Sequence, residues 1–344
     1  MRLPRPARPL LTLILLAGQA GCAAGAADGG QPAAPPERTE DQSLRGRVIV
    51  VDPGHGGTAA TDSYRVGPTG EREEWVNLRV ALLLRDLLEQ RGARVVLTRE
   101  HDLEVGLQAR AELARDVAAD AFVSLHHNAT ADPTANFPVV YYHGYASANP
   151  AGVRLARHLA RRLNAALFAD SAEAVVVSDH VIFAGAGTAV LRHSYGIPGV
   201  IGEASYFTNP HEEARLRDPA HNRREAEAYA LALEDFFADP VPAIHPKDGT
   251  DAIEPFRAAQ ESERMAEVAR RWRQDYVQGR ALLRQPRPDL GRAYELLTRS
   301  VRSFPDSPVA RDAHRLRADI RALQGRHDEA RATRRRVAEF YPGP

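Results

Sequence analysis

Val48-Ile49-Val50-Val51-Asp52-Pro53-Gly54-His55-Gly56-Gly57 is the stretch from which the rest of the chain is read. Four β-branched apolar residues in succession predict a fully buried strand. Asp-Pro-Gly ends it, and the turn presents a histidine among glycines, where the missing Cβ atoms let another group approach the backbone closely. At the carboxyl end of a strand in an open parallel sheet, such a turn is where ligands bind. A histidine there needs partners from elsewhere in the chain.

Outward from this turn, strands and helices alternate. Glu73 and Glu74 open a helix with an apolar face of Val76, Val80, Leu83, Leu84, Leu87 and Leu88, stopped by Gly92. Residues 93–98 predict a second strand, about 107–118 a helix, and 121–125 a third strand that delivers His126, His127 and Asn128. Val139-Val140-Tyr141-Tyr142 predicts another strand, 151–168 a helix, and Pro198 to Gly202 a last strand ending at Glu203. A helix at about 221–237 closes the region. The apolar, β-branched segment 174–183 is left without a role. The alternation implies right-handed crossovers, hence an α/β fold with a mostly parallel twisted sheet flanked by helices.

The flanks differ in composition. Arg2, Arg5 and Arg8 precede the apolar run from Leu10 to Ala17, too short to span a bilayer, so residues 1–22 read as an export signal. Residues 23–46 contain few large apolar side chains and read as a tether. The compact α/β domain is expected over 47–239, and Pro240, Pro242 and Pro246 mark a linker over 240–254. The remainder, 255–344, has no strand signal and predicts four helices near 257–284, 289–303, 308–323 and 326–340. Its aromatic-proline helix ends, Phe304-Pro305 and Tyr341-Pro342, recur about 37 residues apart, near the roughly 34-residue period of tetratricopeptide units. A small all-α domain of that kind, or a plain pair of helical hairpins, fits the pattern.

Composition excludes several function classes. Lysine plus arginine equals aspartate plus glutamate, giving a net charge of +0, so no nucleic-acid partner is indicated. The one cysteine, Cys22, supports neither a disulfide framework nor a thiolate zinc site.

The polar residues after predicted strands supply the chemistry. His55 follows the first strand, His126 the third and Glu203 the last, while Glu73 lies in the first turn of the helix after the glycine loop. These four should gather at one edge of the sheet. Two imidazoles and a carboxylate with an open fourth position are a common catalytic zinc set. A further carboxylate off the metal can act as general base and then protonate a leaving amine. The set fits metal-assisted hydrolysis of an amide.

The motifs, taken in order, resemble the zinc-dependent N-acetylmuramoyl-L-alanine amidases that trim peptidoglycan. Val51 to Gly57 is similar to that family's first histidine loop, and Glu73-Glu74-Trp75-Val76-Asn77-Leu78 to its glutamate motif. Thr98-Arg99 with Asp102, Leu107 and Arg110 resembles its Thr-Arg segment. Ser124-Leu125-His126-His127-Asn128-Ala129 resembles the second histidine motif, and Val190-Leu191-Arg192, Ile197-Pro198 and Glu203 to Pro210 the closing segment. The resemblance implies one zinc ion per chain held by His55, Glu73 and His126, with Glu203 catalytic and peptidoglycan as substrate. It selects Glu73 over Glu71 and Glu74, and His126 over His127, which is left as a pocket wall or surface residue. Asp52 is expected to steady the turn from behind the ligands. Arg192 and Asn128 are candidates for substrate contact, with an ordinary salt bridge as the alternative for Arg192. His143, His180 and His193 carry no motif.

His127 and Ser205 depart from the small residues usual at those places, and no long helical insertion follows His126. Ala20-Gly21-Cys22 resembles the end of a lipobox, although Gln19 replaces its usual aliphatic residue. This leaves two expectations: simple export to the periplasm, or outer-membrane anchoring through a lipid on Cys22. The helical region is expected to dock a protein partner or place the enzyme at the envelope. Two rivals remain open, a non-catalytic envelope binding protein and a zinc peptidase acting on the stem peptide.

Overall fold

In a computed structural model, the strand Val48–Pro53 (β1) is fully buried from its second residue onward. Five further strands join it: β2 (Arg94–Leu97), β3 (Ala121–Asn128), β4 (Val139–Tyr142), β5 (Val175–Ser178) and β6 (Gly199–Tyr206). The structure describes residues 43–57, 65–183, 186–246, 253–258 and 261–343. The expected export signal, Cys22 and most of the expected tether lie outside the described residues, as does the linker stretch 247–252.

The strand order is β2-β1-β3-β6-β4-β5. Strands β2, β1, β3 and β6 are parallel, as the alternation predicted. β4 runs antiparallel to β6, and β5 runs parallel to β4. The apolar segment 174–183 therefore supplies the edge strand. Its four residues are all buried, so they show no alternation of polar and apolar positions.

One face of the sheet packs on α1 (Glu73–Gln90), α3 (Pro150–Phe168) and α6 (Pro219–Phe237), around Ile49, Val51, Val123, Val140 and Val200. The starts of α3 and α6, and of the short α5 (Pro210–Leu216), share one device. Asn149, Asp218 and Asn209 each accept a hydrogen bond from the backbone of the first turn, and each is followed by proline.

The opposite face carries Val50, Phe122, Val139, Tyr141, Val177 and Ile201. Beside α2 (Leu107–Asp116) and α4 (Ala189–His193), its apolar cluster continues, after the short α7 (Glu261–Arg264), into the carboxy-terminal helices α8 (Trp272–Leu283), α9 (Leu290–Ser303), α10 (Ala310–Leu323) and α11 (His327–Phe340). Trp272, Leu297, Phe304 and Phe340 share one apolar cluster with the sheet. Phe137 packs against both Tyr206 and Phe304, with ring centroids 4.9 and 5.8 Å away. Among the described residues, 43 to 343 belong to one compact unit. Phe304 and Tyr341, which cap the ends of α9 and α11, are both buried, and the backbone leaves the helical conformation at each.

Two boundaries differ from expectation. Residues 43–46, read as the end of the tether, form a turn whose Leu44 is fully buried in the core. The helix expected over 257–284 is broken. Ala266 is extended, a 3-10 turn covers Glu267–Arg271, and α8 begins at Trp272. This stretch lacks a continuous apolar stripe, and its two buried anchors, Arg264 and Trp272, hold it at separate points. Among the described residues no helix is long and apolar enough to cross a membrane.

Candidate metal centre and cleft

The end of β1 is held by two arginines. Arg99 donates to the carbonyls of Pro53 and Gly54 at 2.9 and 2.8 Å. Arg110 donates to Pro53 O at 2.9 Å and His55 O at 2.6 Å, and pairs with Asp52 at 2.7 Å. Asp52 also accepts from the hydroxyls of Thr98 and Ser124, at 2.5 and 2.7 Å. Burial works against its charge, but Arg110 and the hydroxyls outweigh it and keep the carboxyl below its ordinary range. With both oxygens engaged in this way, Asp52 pins the turn. His55 itself has φ 60°, a left-handed conformation that costs a non-glycine residue about 1 kcal/mol or more.

Glu73, in the first turn of α1, reaches this turn from the side. Its Oε1 lies 3.2 Å from His55 Nε2 and 3.0 Å from His126 Nδ1. Ligating atoms of the three residues all lie within 4.8 Å of one another. The amide of His127 and the side chain of Asn77 donate to the same oxygen, at 3.1 and 3.2 Å. Burial opposes the charge on Glu73, yet the two imidazoles and these bonds hold its carboxyl well below the usual range. His126 is shifted up because Glu73 outweighs its burial, while His55 is shifted down chiefly by burial. The competing carboxylates are engaged elsewhere: Glu71 pairs with Arg79 and Arg217, and Glu74 with Arg72.

Glu203 on β6 sits opposite His126 in the ladder. Its Oε2 is buried and has no hydrogen-bond partner. Burial, with Glu73 adding to it and His126 opposing, pushes its carboxyl up to about 7. Three donors of the right kind, with an unpartnered carboxylate oxygen at the neighbouring strand, suit a divalent cation such as zinc. The packing is tight enough to need glycine: a Cβ at Gly54 would lie 2.2 Å from His126 Nε2.

His127 is not at the surface. It is buried between Asn77, 2.9 Å from Nδ1, and Glu225 of α6, 3.1 Å from Nε2. Nothing local signals this, because Glu225 lies far along the chain. Asn128 donates to Tyr206 Oη at 3.2 Å, and Arg192 donates to the carbonyls of Ala186 and Gly187 at 3.1 and 3.0 Å. A second group, His143, Asp179 and His180, also has ligating atoms within 4.8 Å of one another. There Asp179 accepts from Thr188 and Gly144 and contacts His143, so its oxygens are taken up in tying these three residues together.

A cavity of about 760 Å³ opens from the cluster of His55, Glu73 and His126 across the second face of the sheet. Ile201 and Tyr141 lie on that face, Leu107 and Phe183 are exposed beside the opening, and both Asn128 and Arg192 are in its wall. Arg264 and Met265 line it too. From sequence the arginines of the carboxy-terminal helices read as a solvated face, since nothing in a charge-rich helical segment signals burial; Arg264 departs from that reading.

Comparison with known proteins follows the same outline. The family model described as N-acetylmuramoyl-L-alanine amidase (Amidase_3) matches residues 49–235. A protein of Staphylococcus epidermidis described as "Probable cell wall amidase LytH" is 30% identical over 200 residues, covering 57% of this chain and 60% of that one. N-acetylmuramoyl-L-alanine amidase AmiC of Escherichia coli is 28% identical over 228 residues, covering 56% and 53%. The solved structure of amidase AmiC2 of Nostoc punctiforme is 31% identical, covers 56% of this chain and 98% of its own, and superposes with a TM-score of 0.48. The chain thus spans little more than half the length of the curated relatives it matches. The family model covers more than half of the chain, and the chain belongs to the Amidase_3 family of N-acetylmuramoyl-L-alanine amidases.

Proposed function

We propose that the protein hydrolyses the amide between N-acetylmuramic acid and L-alanine in peptidoglycan, with one zinc ion held by His55, Glu73 and His126. The observation that carries this reading is the meeting of those three residues beside a buried carboxylate with an unpartnered oxygen. Zinc bound there would polarise the amide carbonyl and acidify the attacking water. Glu203 takes the proton of that water on Oε2 and returns it to the departing amine. Its raised proton affinity suits both duties near neutral pH. Asp52, Arg99 and Arg110 hold the His55 turn rigid. Asn77 fixes the rotamer of Glu73, and Asn128 and Arg192 form part of the wall against which substrate lies.

We read residues 1–22 as the export signal, with periplasmic action and a lipid on Cys22 as the means of outer-membrane attachment. We read 255–344 as a two-unit, tetratricopeptide-like helical region offering a surface to an envelope partner. Purified sacculi incubated with the zinc-loaded protein should release intact stem peptides, and Glu203→Gln should release them about 100-fold more slowly or worse. Stoichiometric zinc without release would favour a binding protein. Shortened peptides still joined to glycan would favour a peptidase.

A further inference from the structure

Arg264 lies outside the residues matched by the family model, yet it lines the same cavity as Glu203. It is only 9% exposed. Its Nη2 donates to both oxygens of the fully buried Asp306, at 3.1 and 3.2 Å, and Tyr141 donates its hydroxyl to the same carboxylate. Its Nε is buried with no partner. Phe304 lies under the guanidinium at 5.5 Å, and the backbone carbonyl of Arg264 accepts from Ala131, just after the second histidine motif. The group is therefore fixed in place, with a donor left over. The other cavity arginines discussed above are committed differently. Arg110 serves Asp52 and the turn carbonyls, and Arg192 serves two loop carbonyls.

A buried guanidinium with an unused Nε–H in a cleft is a receptor for a carboxylate, which Nε–H and the neighbouring Nη2–H not turned to Asp306 can grip in a planar fork. The substrate chemistry says where that carboxylate would be. In an N-acetylmuramoyl-peptide the lactyl carboxyl is already consumed in the scissile amide, so the sugar beside the bond is uncharged. The negative charges belong to the peptide. We propose that Arg264, supplied by the carboxy-terminal region, is a specificity-determining residue that binds a carboxylate on the peptide side of the scissile bond. This rests on the amidase reading.

The test uses zinc-loaded full-length Glu203→Gln protein and two disaccharide-peptides, one with its peptide carboxylates free and one with them converted to carboxamides. The free form should bind about 10- to 100-fold more tightly, the range of a charge-assisted hydrogen bond. Adding Arg264→Met together with Asp306→Asn, which leaves no buried charge unpaired, should bring the ratio close to one with little change for the carboxamide. Arg264→Lys, which keeps the charge and loses the fork, should give an intermediate ratio. Equal binding of the two ligands by the parent protein would overturn the proposal, as would a ratio that survives the double substitution. Failure of the amidase reading would show separately, as an absence of hydrolysis of either compound by the unsubstituted enzyme.

Discussion

Glu203 should make the protein less stable where it makes it active. Its carboxyl is moved from an ordinary value of 4.5 up to about 7, chiefly by burial. Between those values the folded chain holds a proton that the unfolded chain has released. Stability therefore falls as pH rises from 4.5 through about 7, and above that the loss is complete. At roughly 1.4 kcal/mol per tenfold change in proton affinity, the full loss has an upper limit of about 3 kcal/mol. Glu203→Gln keeps the shape and removes the charge. In metal-free protein, urea denaturation at pH 8 should show the variant more stable by up to about 3 kcal/mol, and at pH 4 the two should coincide. The same substitution in zinc-loaded protein should lower kcat by about 100-fold or more, in line with loss of a general base. The reasoning fails if the variant gains nothing at pH 8, or if its advantage is the same at pH 4.

Two further outcomes follow from packing. Gly54→Ala puts a methyl group 2.2 Å from His126 Nε2. The histidine must move, so zinc stoichiometry after dialysis should fall well below one, while the circular dichroism spectrum of the fold persists. Trp272→Ala removes a side chain that is 1% exposed and is held by a hydrogen bond to Asp132 at 2.9 Å. It should cost about 3–5 kcal/mol. Because the carboxy-terminal helices share a core with the sheet, the loss should appear in one cooperative transition that includes the catalytic region, measured by thermal unfolding.

The parts of the fold that could be read were those with two independent local signals. β1, β3 and β6 are apolar runs ended by turn or polar residues, and α1 has a clean apolar face with a glycine stop, so their ends and the residues placed there follow. The acid cluster at 71–74 was ambiguous by charge alone. The motif selects Glu73, and the folded chain supplies the physical reason: Arg79, Arg72 and Arg217 engage its neighbours. β5 gave too little signal, since a short strand buried on both faces has no period. The reversal of β4 is set by its pairing with β6, which lies far ahead in the chain. The place of the helical region was missed, although a clue existed: Val50, Phe122, Val139, Tyr141 and Val177 make the second face as apolar as the first, and such a face has to be covered. Arg264 had no clue at all.

His55 is kept at φ 60° by the hold of Arg110 on its own carbonyl and of Arg99 on the two before it. Left alone, an imidazole-bearing residue would swing back to negative φ and carry its nitrogen out of reach of the other two donors. The turn is thus a spring kept compressed by two guanidinium clasps. Arg99→Ala or Arg110→Ala should therefore weaken zinc binding in a titration even though neither arginine belongs to the proposed ligand set.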